Sequence, residues 1–335
     1  MKIRLATRKS ALALTQARWV AAQLRVHHPS IEVEEVPITT TGDRVLDRPL
    51  AQIGGKGLFV REVQAALLDG RADVAVHSLK DVPGDEAPPE GLELACFPLR
   101  EDPHDAWISR EGLELDALEA GSRVGTSSLR RICQLRALRP DLRYLPLRGN
   151  VDTRLRKLKE GEYEAVVLAA AGLRRLGLES EIQERLPFST CLPAVGQGTL
   201  GLEIRSADLR MRDLLAPLSD TTTHWVSECE RALLAKLQGS CHVPIAGLAR
   251  WHSGEQRLSL RAMVGSHDTE RTLNARCDRF VSRIEAKAML EVARALGEEA
   301  ADVLIAQGAR QWVVEAEAAV LRQRQQSNGN GHGHW

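Results

Sequence analysis

Apolar and polar positions in the first hundred residues switch repeatedly between two periods. Residues 3–6 read as a strand. The helix that follows is capped near Ser10 and carries Ala17, Val20 and Leu24 on one face. Residues 31–39 alternate as a strand does, 58–68 have the spacing of an amphipathic helix, and 73–77 form a short buried strand. Residues 83–91, rich in proline, glycine and acids, read as a solvated loop. Alternating strands and helices predict an open, mixed sheet with crossover helices.

A second stretch of the same kind follows. Strands are predicted at 123–125, 143–147 and 165–168, with helices at 129–138 and 151–159 between them. Residues 192–198, punctuated by Gly196 and Gly198, lead into a strand at 200–204. Beyond Thr221 the order changes. A helix at 223–237 precedes three strands near 245–249, 258–264 and 269–275, and helices run from Val281 onward. Strands followed by helices predict a separate small α+β unit. Residues 323–335 are of low complexity, which predicts disorder.

Length and charge narrow the functions available. The 335 residues suffice for two or three domains, and at 43% hydrophobic residues there is material for cores. Lys plus Arg (45) equals Asp plus Glu (45), a balance unlike the basic surplus of a nucleic-acid binder. The start of the chain has no apolar signal segment, and no run is long and apolar enough to span a membrane. Six cysteines at irregular spacing, in a chain this long, read as free thiols of a reducing cytoplasm.

Charge that is balanced overall is concentrated locally. Between Arg130 and Arg156 lie eight arginines, flanking two polar punctuations, residues 125–128 and 148–150, of the kind that turn a strand into a helix. Guanidinium forks and backbone N–H groups at helix starts both attract carboxylate and phosphate edges. The segment therefore predicts a pocket for a small ligand carrying several negative charges. Lys80-Asp81 follows a buried strand, where ligands of open α/β sheets gather. Asp81 there is open to an acid/base role, to a counter-ion role, or to a plain surface ion pair before a proline turn. Cys241 sits in a Gly-Ser turn after a helix, either accessible for chemistry or of no consequence. A zinc site from Cys229, Cys241 and His242 lacks a second ligand pair. Residues 54–57 do not have Walker A spacing and read better as a glycine-rich lid bearing Lys56.

Taken in order, eight segments resemble the porphobilinogen deaminase (hydroxymethylbilane synthase) family: residues 6–10, 54–59, 77–83, 125–131, 147–150, 171–176, 193–198 and 239–241. The resemblance runs from about residue 2 to about residue 315. It implies two periplasmic-binding-protein-like α/β lobes plus a small C-terminal α+β domain. The lobes would be 1–98 with 199–218 and 99–198, the third domain 219–320, and 321–335 a disordered tail. It implies a cytoplasmic, monomeric transferase that joins four porphobilinogen molecules with loss of ammonia, primed by a dipyrromethane cofactor on a thioether to Cys241.

Residue by residue, the resemblance makes Asp81 the catalytic carboxylate. It assigns Arg8, Ser10, Lys80, Thr126, Ser127, Ser128, Arg130, Arg131, Arg148, Arg154, Gln197 and Gly198 to the cofactor. Arg8, Arg148, Arg154, Arg175, Lys56 and Phe59 fall to the substrate, with no metal, nucleic acid or membrane involved. Two positions depart from the usual pattern, Gln52 where many relatives have lysine and Ser240 where glycine is more usual.

Overall fold

The computed structural model describes residues 1–44, 57–86, 88–238, 243–281 and 286–329. Its strands are β1 (Lys2–Arg8), β2 (Glu32–Ile38), β3 (Val74–Ser78), β4 (Leu92–Cys96), β5 (Asp105–Ser109), β6 (Arg123–Gly125) and β7 (Arg143–Leu145). Then come β8 (Ala165–Ala169), β9 (Glu184–Arg185), β10 (Leu200–Arg205), β11 (Ile245–His252), β12 (Arg257–Gly265) and β13 (Thr272–Phe280).

Two five-stranded sheets share one plan, ordered β2-β1-β3-β10-β4 and β7-β6-β8-β5-β9. In each, three neighbouring strands run parallel and the fourth is antiparallel. The antiparallel strands β5 and β10 are those entered when the chain passes from one sheet to the other. Both passages, 97–104 and 186–199, therefore converge between the lobes.

The helix Ala11–His27 shows why these elements form. Ser10 Oγ accepts the Ala13 N–H at 3.3 Å, closing the first turn, and Arg25 and His27 complement the dipole at the last. Ala17, Val20, Ala21 and Leu24 bury one stripe against Ile3 and Leu5 of β1. Each buried Val, Leu or Ile side chain here contributes about 1.5–3 kcal/mol over its exposed state, and each alanine less. A third sheet, β11-β12-β13, is an antiparallel meander. Leu258, Leu260 and Val264 of its middle strand pack with Cys229 and Leu233 of the helix Thr221–Leu237 and with Ala293 and Leu296 of Ala286–Ala306.

Several elements depart from the sequence expectation. Strands β4, β5 and β9 have no counterpart in it. The third strand of the meander begins at Thr272, three residues late, because Thr269 (φ 64°) and the Thr269 N–H bond to Ser266 O build a hairpin turn first. The 58–68 helix starts at Arg61, after a turn at Gly57 (φ 71°). The tail expected to be disordered from 321 is instead helical to Gly329, since Ala, Glu, Gln and Arg between 309 and 326 are strong helix formers. Residues 330–335 lie outside the described residues.

Candidate active site

Strand β3 is buried from Val74 to His77 and ends in the one-turn helix Leu79–Asp81. Leu79 is fixed in the core, its N–H donating to Thr199 O at 2.9 Å, and Val82 N–H closes the turn on Leu79 O at 3.0 Å. Asp81 is thus raised out of the sheet with its side chain 32% exposed. Arg8, at the carboxyl end of the parallel neighbour β1, brings Nη1 to 3.9 Å from Asp81 Oδ2. The same guanidinium lies 4.0 Å over the Phe59 ring and pairs with Asp43, Nε at 3.3 Å from Oδ2. Burial acts to raise the Asp43 pKa, and the hydrogen bond and charge of Arg8 outweigh it. Arg8, Gln16, Phe59, His77, Ser78 and Asp81 line a concavity here. Beneath it, buried His77 Nε2 stands 2.9 Å from Glu203 Oε2, and Gln64 donates to Glu203 Oε1 at 2.9 Å.

Opposite, the second sheet delivers the arginines, and they divide into two kinds. Arg130 and Arg131, on the first turn of the helix Leu129–Leu138, are buried and turned inward onto Asp105. Arg130 Nη1 lies 2.6 Å from Asp105 Oδ2, and Arg131 reaches Oδ1 with Nε at 2.9 Å and Nη2 at 2.7 Å. Burial would raise the Asp105 pKa, but the two guanidiniums hold it well below the usual carboxylate range. Arg130 and Arg131 thus brace the site and keep only part of their donor capacity for a ligand.

Arg148 and Arg154 are the second kind, half-buried near the start of the helix Val151–Lys159. Arg154 Nε donates to Gly149 O at 2.8 Å. Its pKa falls to about 10 through burial and then through the charges of Arg131 and Arg148, with Asp81 acting the other way. Lys80 behaves alike. Its side chain is exposed to water, yet the mass of protein around the Leu79–Asp81 turn desolvates it in part and lowers its pKa to about 8. Asp81 counters this and Arg131 adds to it. Groups from both sheets are therefore close enough to shift one another's protonation. Crowded, partly desolvated cations are the donor set that a multiply carboxylated group would neutralise.

The hydroxyls have distinct tasks. Ser10 is a helix cap. Ser127 Oγ donates to Leu147 O at 2.9 Å and accepts Leu147 N–H at 3.0 Å, tying the two polar loops together. Thr126 is buried, its Oγ1 accepting Ser128 N–H at 3.2 Å. Ser128 sits at the N-cap of Leu129–Leu138 with its own hydroxyl unused for capping.

The passages between sheets complete the floor. Gln197 is buried and donates to Asp105 Oδ1 at 3.0 Å and to Pro103 O at 2.8 Å. Gly198 (φ 89°) allows the two passages to touch, since a Cβ there would lie 2.3 Å from Glu101 O. Its carbonyl accepts Arg175 Nη2 at 2.7 Å, and burial lowers the Arg175 pKa to about 10. Lys56 and Cys241, with Gln52 and Ser240, lie outside the described residues.

Sequence reasoning passed over Asp105, Asp43 and Glu230. Fully buried Glu230, on the helix Thr221–Leu237, accepts Arg100 Nη1 at 2.6 Å, Gly196 N–H at 2.7 Å and Ala249 N–H at 2.9 Å, joining both lobes' passages to the third sheet. An acidic residue opening the apolar strand Asp105–Ser109, or set among the apolar residues of a helix, was the available signal, because a buried charge requires a partner.

Fold and site together define a two-lobed α/β protein with cationic side chains gathered around Asp81. Residues 3–213 match the family described as "Porphobilinogen deaminase, dipyromethane cofactor binding domain", and residues 225–306 match "Porphobilinogen deaminase, C-terminal domain". The chain belongs to the porphobilinogen deaminase family, transferases also called hydroxymethylbilane synthases, and its larger matched part is the dipyrromethane-binding domain. Among solved structures, the Bordetella pertussis BvgS VFT2 domain is similar at 13% identity over 64% of this chain and 84% of its own, with a TM-score of 0.37. A probable amino-acid ABC transporter extracellular-binding protein of Bacillus subtilis, YtmK, is similar at 9% identity over 65% and 90%, TM-score 0.38. YhfZ from Shigella flexneri is similar at 18% identity over 65% and 90%, TM-score 0.33. Among the described residues no helix is long and apolar enough to cross a membrane.

Proposed function

We propose that this chain is a hydroxymethylbilane synthase that condenses four porphobilinogen molecules, with loss of ammonia at each step, into linear hydroxymethylbilane for tetrapyrrole synthesis of the haem or chlorophyll type. The dipyrromethane cofactor, held by a thioether to Cys241, supplies the pyrrole carbon from which the chain grows. The five described cysteines, Cys96, Cys133, Cys191, Cys229 and Cys277, are free and buried. Burial pushes the Cys96 and Cys133 thiols up to about 12 and raises the other three as well, so each is a poor nucleophile. That supports Cys241 as the attachment point. Free thiols also fit a reducing cytoplasm, and a monomer is the family expectation.

The observation that carries this reading is the convergence of Lys80, Arg131, Arg148 and Arg154 on the cleft that holds Asp81. Each pyrrole ring brings an acetate and a propionate, so every addition brings two negative charges. Arg148, Arg154, Lys80 and the Ser128 helix start would take those carboxylates, with Arg8, Arg175, Lys56 and Phe59 on the substrate side. When ammonia leaves porphobilinogen, positive charge spreads onto the pyrrole nitrogen. Asp81 stabilises that charge, and it accepts the proton displaced when the new carbon–carbon bond forms. Arg8 keeps the carboxylate oriented from the neighbouring strand. Asp81→Asn and Asp81→Glu test the reading: both are expected to bind porphobilinogen and to lose about 10²-fold or more in kcat. Wild-type turnover in either would overturn it.

A further inference from the structure

The helix Thr221–Leu237 has two working faces. Val226, Cys229, Leu233 and Leu237 form the stripe buried against the third sheet. Arg231 and Leu234 reach the other way, towards the turn that carries Asp81, while Glu230 bridges Ala249 of the third sheet and the passage at Gly196. Arg231 Nη2 donates to Pro83 O at 3.1 Å and Nη1 to Val82 O at 3.4 Å. One turn further on, Leu234 covers the next residue of that loop so closely that a Cβ on Gly84 would lie 2.7 Å from Leu234 Cδ2. On the other side of the turn, Glu230 holds Gly196 N–H at 2.7 Å, and Thr199 O, three residues along the same passage, accepts Leu79 N–H at 2.9 Å. Adjacent side chains of one helix thus secure both ends of the Leu79–Asp81 turn.

The Arg231 contact is not a loose surface pair. Its guanidinium is half-buried, and desolvation lowers its pKa against the charges of Glu228, Glu203 and Asp85. Hydrogen-bonding groups this sheltered hold a fixed geometry. The helix ends at Leu237 with Gln238 as a left-handed cap (φ 56°), and Cys241 follows three residues after Gln238. The element that leads to the tether therefore also grips the turn that bears the carboxylate.

We propose that Arg231 is a positioning residue for Asp81, clamping the Asp81 turn to the helix that leads to Cys241. The inference rests on the roles given above to Asp81 and Cys241. Its consequence is kinetic, because a displacement of about 1 Å at a reacting group can cost about 10²-fold in rate.

The test uses full-length holoenzyme and the variants R231M, R231K, D81E and R231M/D81E. The readouts are kcat and KM for porphobilinogen, cofactor content by colour with Ehrlich's reagent, and melting temperature. R231M is expected to keep its cofactor and to melt close to wild type, while kcat falls about tenfold and KM changes less than about twofold. R231K keeps the charge but only one of the two carbonyl contacts. It should lose about threefold in kcat, and it carries the test alone if R231M does not fold. In the D81E background, where the carboxylate is already displaced, R231M should cost less than about twofold. Wild-type kcat in the Arg231 variants would overturn the proposal. So would a loss matched by lost cofactor in both of them, or an undiminished tenfold penalty on top of D81E. Wild-type kcat in D81E alone would instead overturn the role given to Asp81, whatever R231M does.

Discussion

Arg8 Nη1 stands 3.9 Å from Asp81 Oδ2, and the pair joins the carboxyl ends of two parallel neighbours in one sheet. Arg8 is shared, because Asp43 takes its other edge and Phe59 lies under its face. Arg8→Met would leave Asp43 and Asp81 without their common cation and would free the ring beneath. The expected outcome is a fall of about 10- to 100-fold in kcat/KM for porphobilinogen, checked by steady-state kinetics with cofactor content measured in parallel.

Asp105 is the keystone of the second lobe's side of the cleft. Removing its charge strands two buried guanidiniums, so Asp105→Asn is expected to destabilise the fold by about 3–5 kcal/mol. The pH dependence follows from its depressed pKa. A carboxylate lowered on folding contributes stability that is fully present above its unfolded pKa of about 3.9 and is lost only as pH falls through the folded value. Denaturant melts of wild type and D105N should therefore differ by the same amount at pH 5 and pH 8. A difference that shrinks between those pH values would contradict the assignment.

Lys80 gives the opposite sign. Its folded pKa of about 8 lies below that of the unfolded chain, so the strain of holding it charged is present below pH 8 and lifts as pH rises towards the unfolded value of about 10.4. An anionic ligand needs the charged form. Loading of apo-protein by porphobilinogen should therefore weaken above about pH 8, and Lys80→Arg should move that decline upward by about two pH units or more. Intact mass against loading pH checks both, and coincident profiles would refute the role of Lys80.

Much of this architecture was legible because the residues that make it obey local rules. Ser10 marks a helix start and residues 74–77 a buried strand, and the Leu129–Leu138 and Val151–Lys159 helices fall where their spacing puts them. What stayed hidden depends on distant partners. Nothing local to Arg130 and Arg131 says that their guanidiniums turn in to Asp105, 25 and 26 residues away, while Arg154 sits among the charges of Arg131, Arg148 and Asp81. Nothing in the helix pattern of 221–237 says that Glu230 and Arg231 point at two other domains' loops. The run of arginines predicts an anion site, but only the fold shows which of them are turned in to a buried carboxylate.

Cofactor tether and carboxylate meet most directly in one experiment: intact-mass spectrometry of wild type, Cys241→Ser and Asp81→Asn, before and after mixing with porphobilinogen. Wild type should weigh more than its chain by one covalent group and gain further mass in equal steps on mixing. Cys241→Ser should weigh only its chain and gain nothing, and Asp81→Asn should gain no steps on the wild-type timescale. A covalent increment that survives Cys241→Ser, or a wild-type ladder in Asp81→Asn, would contradict the account.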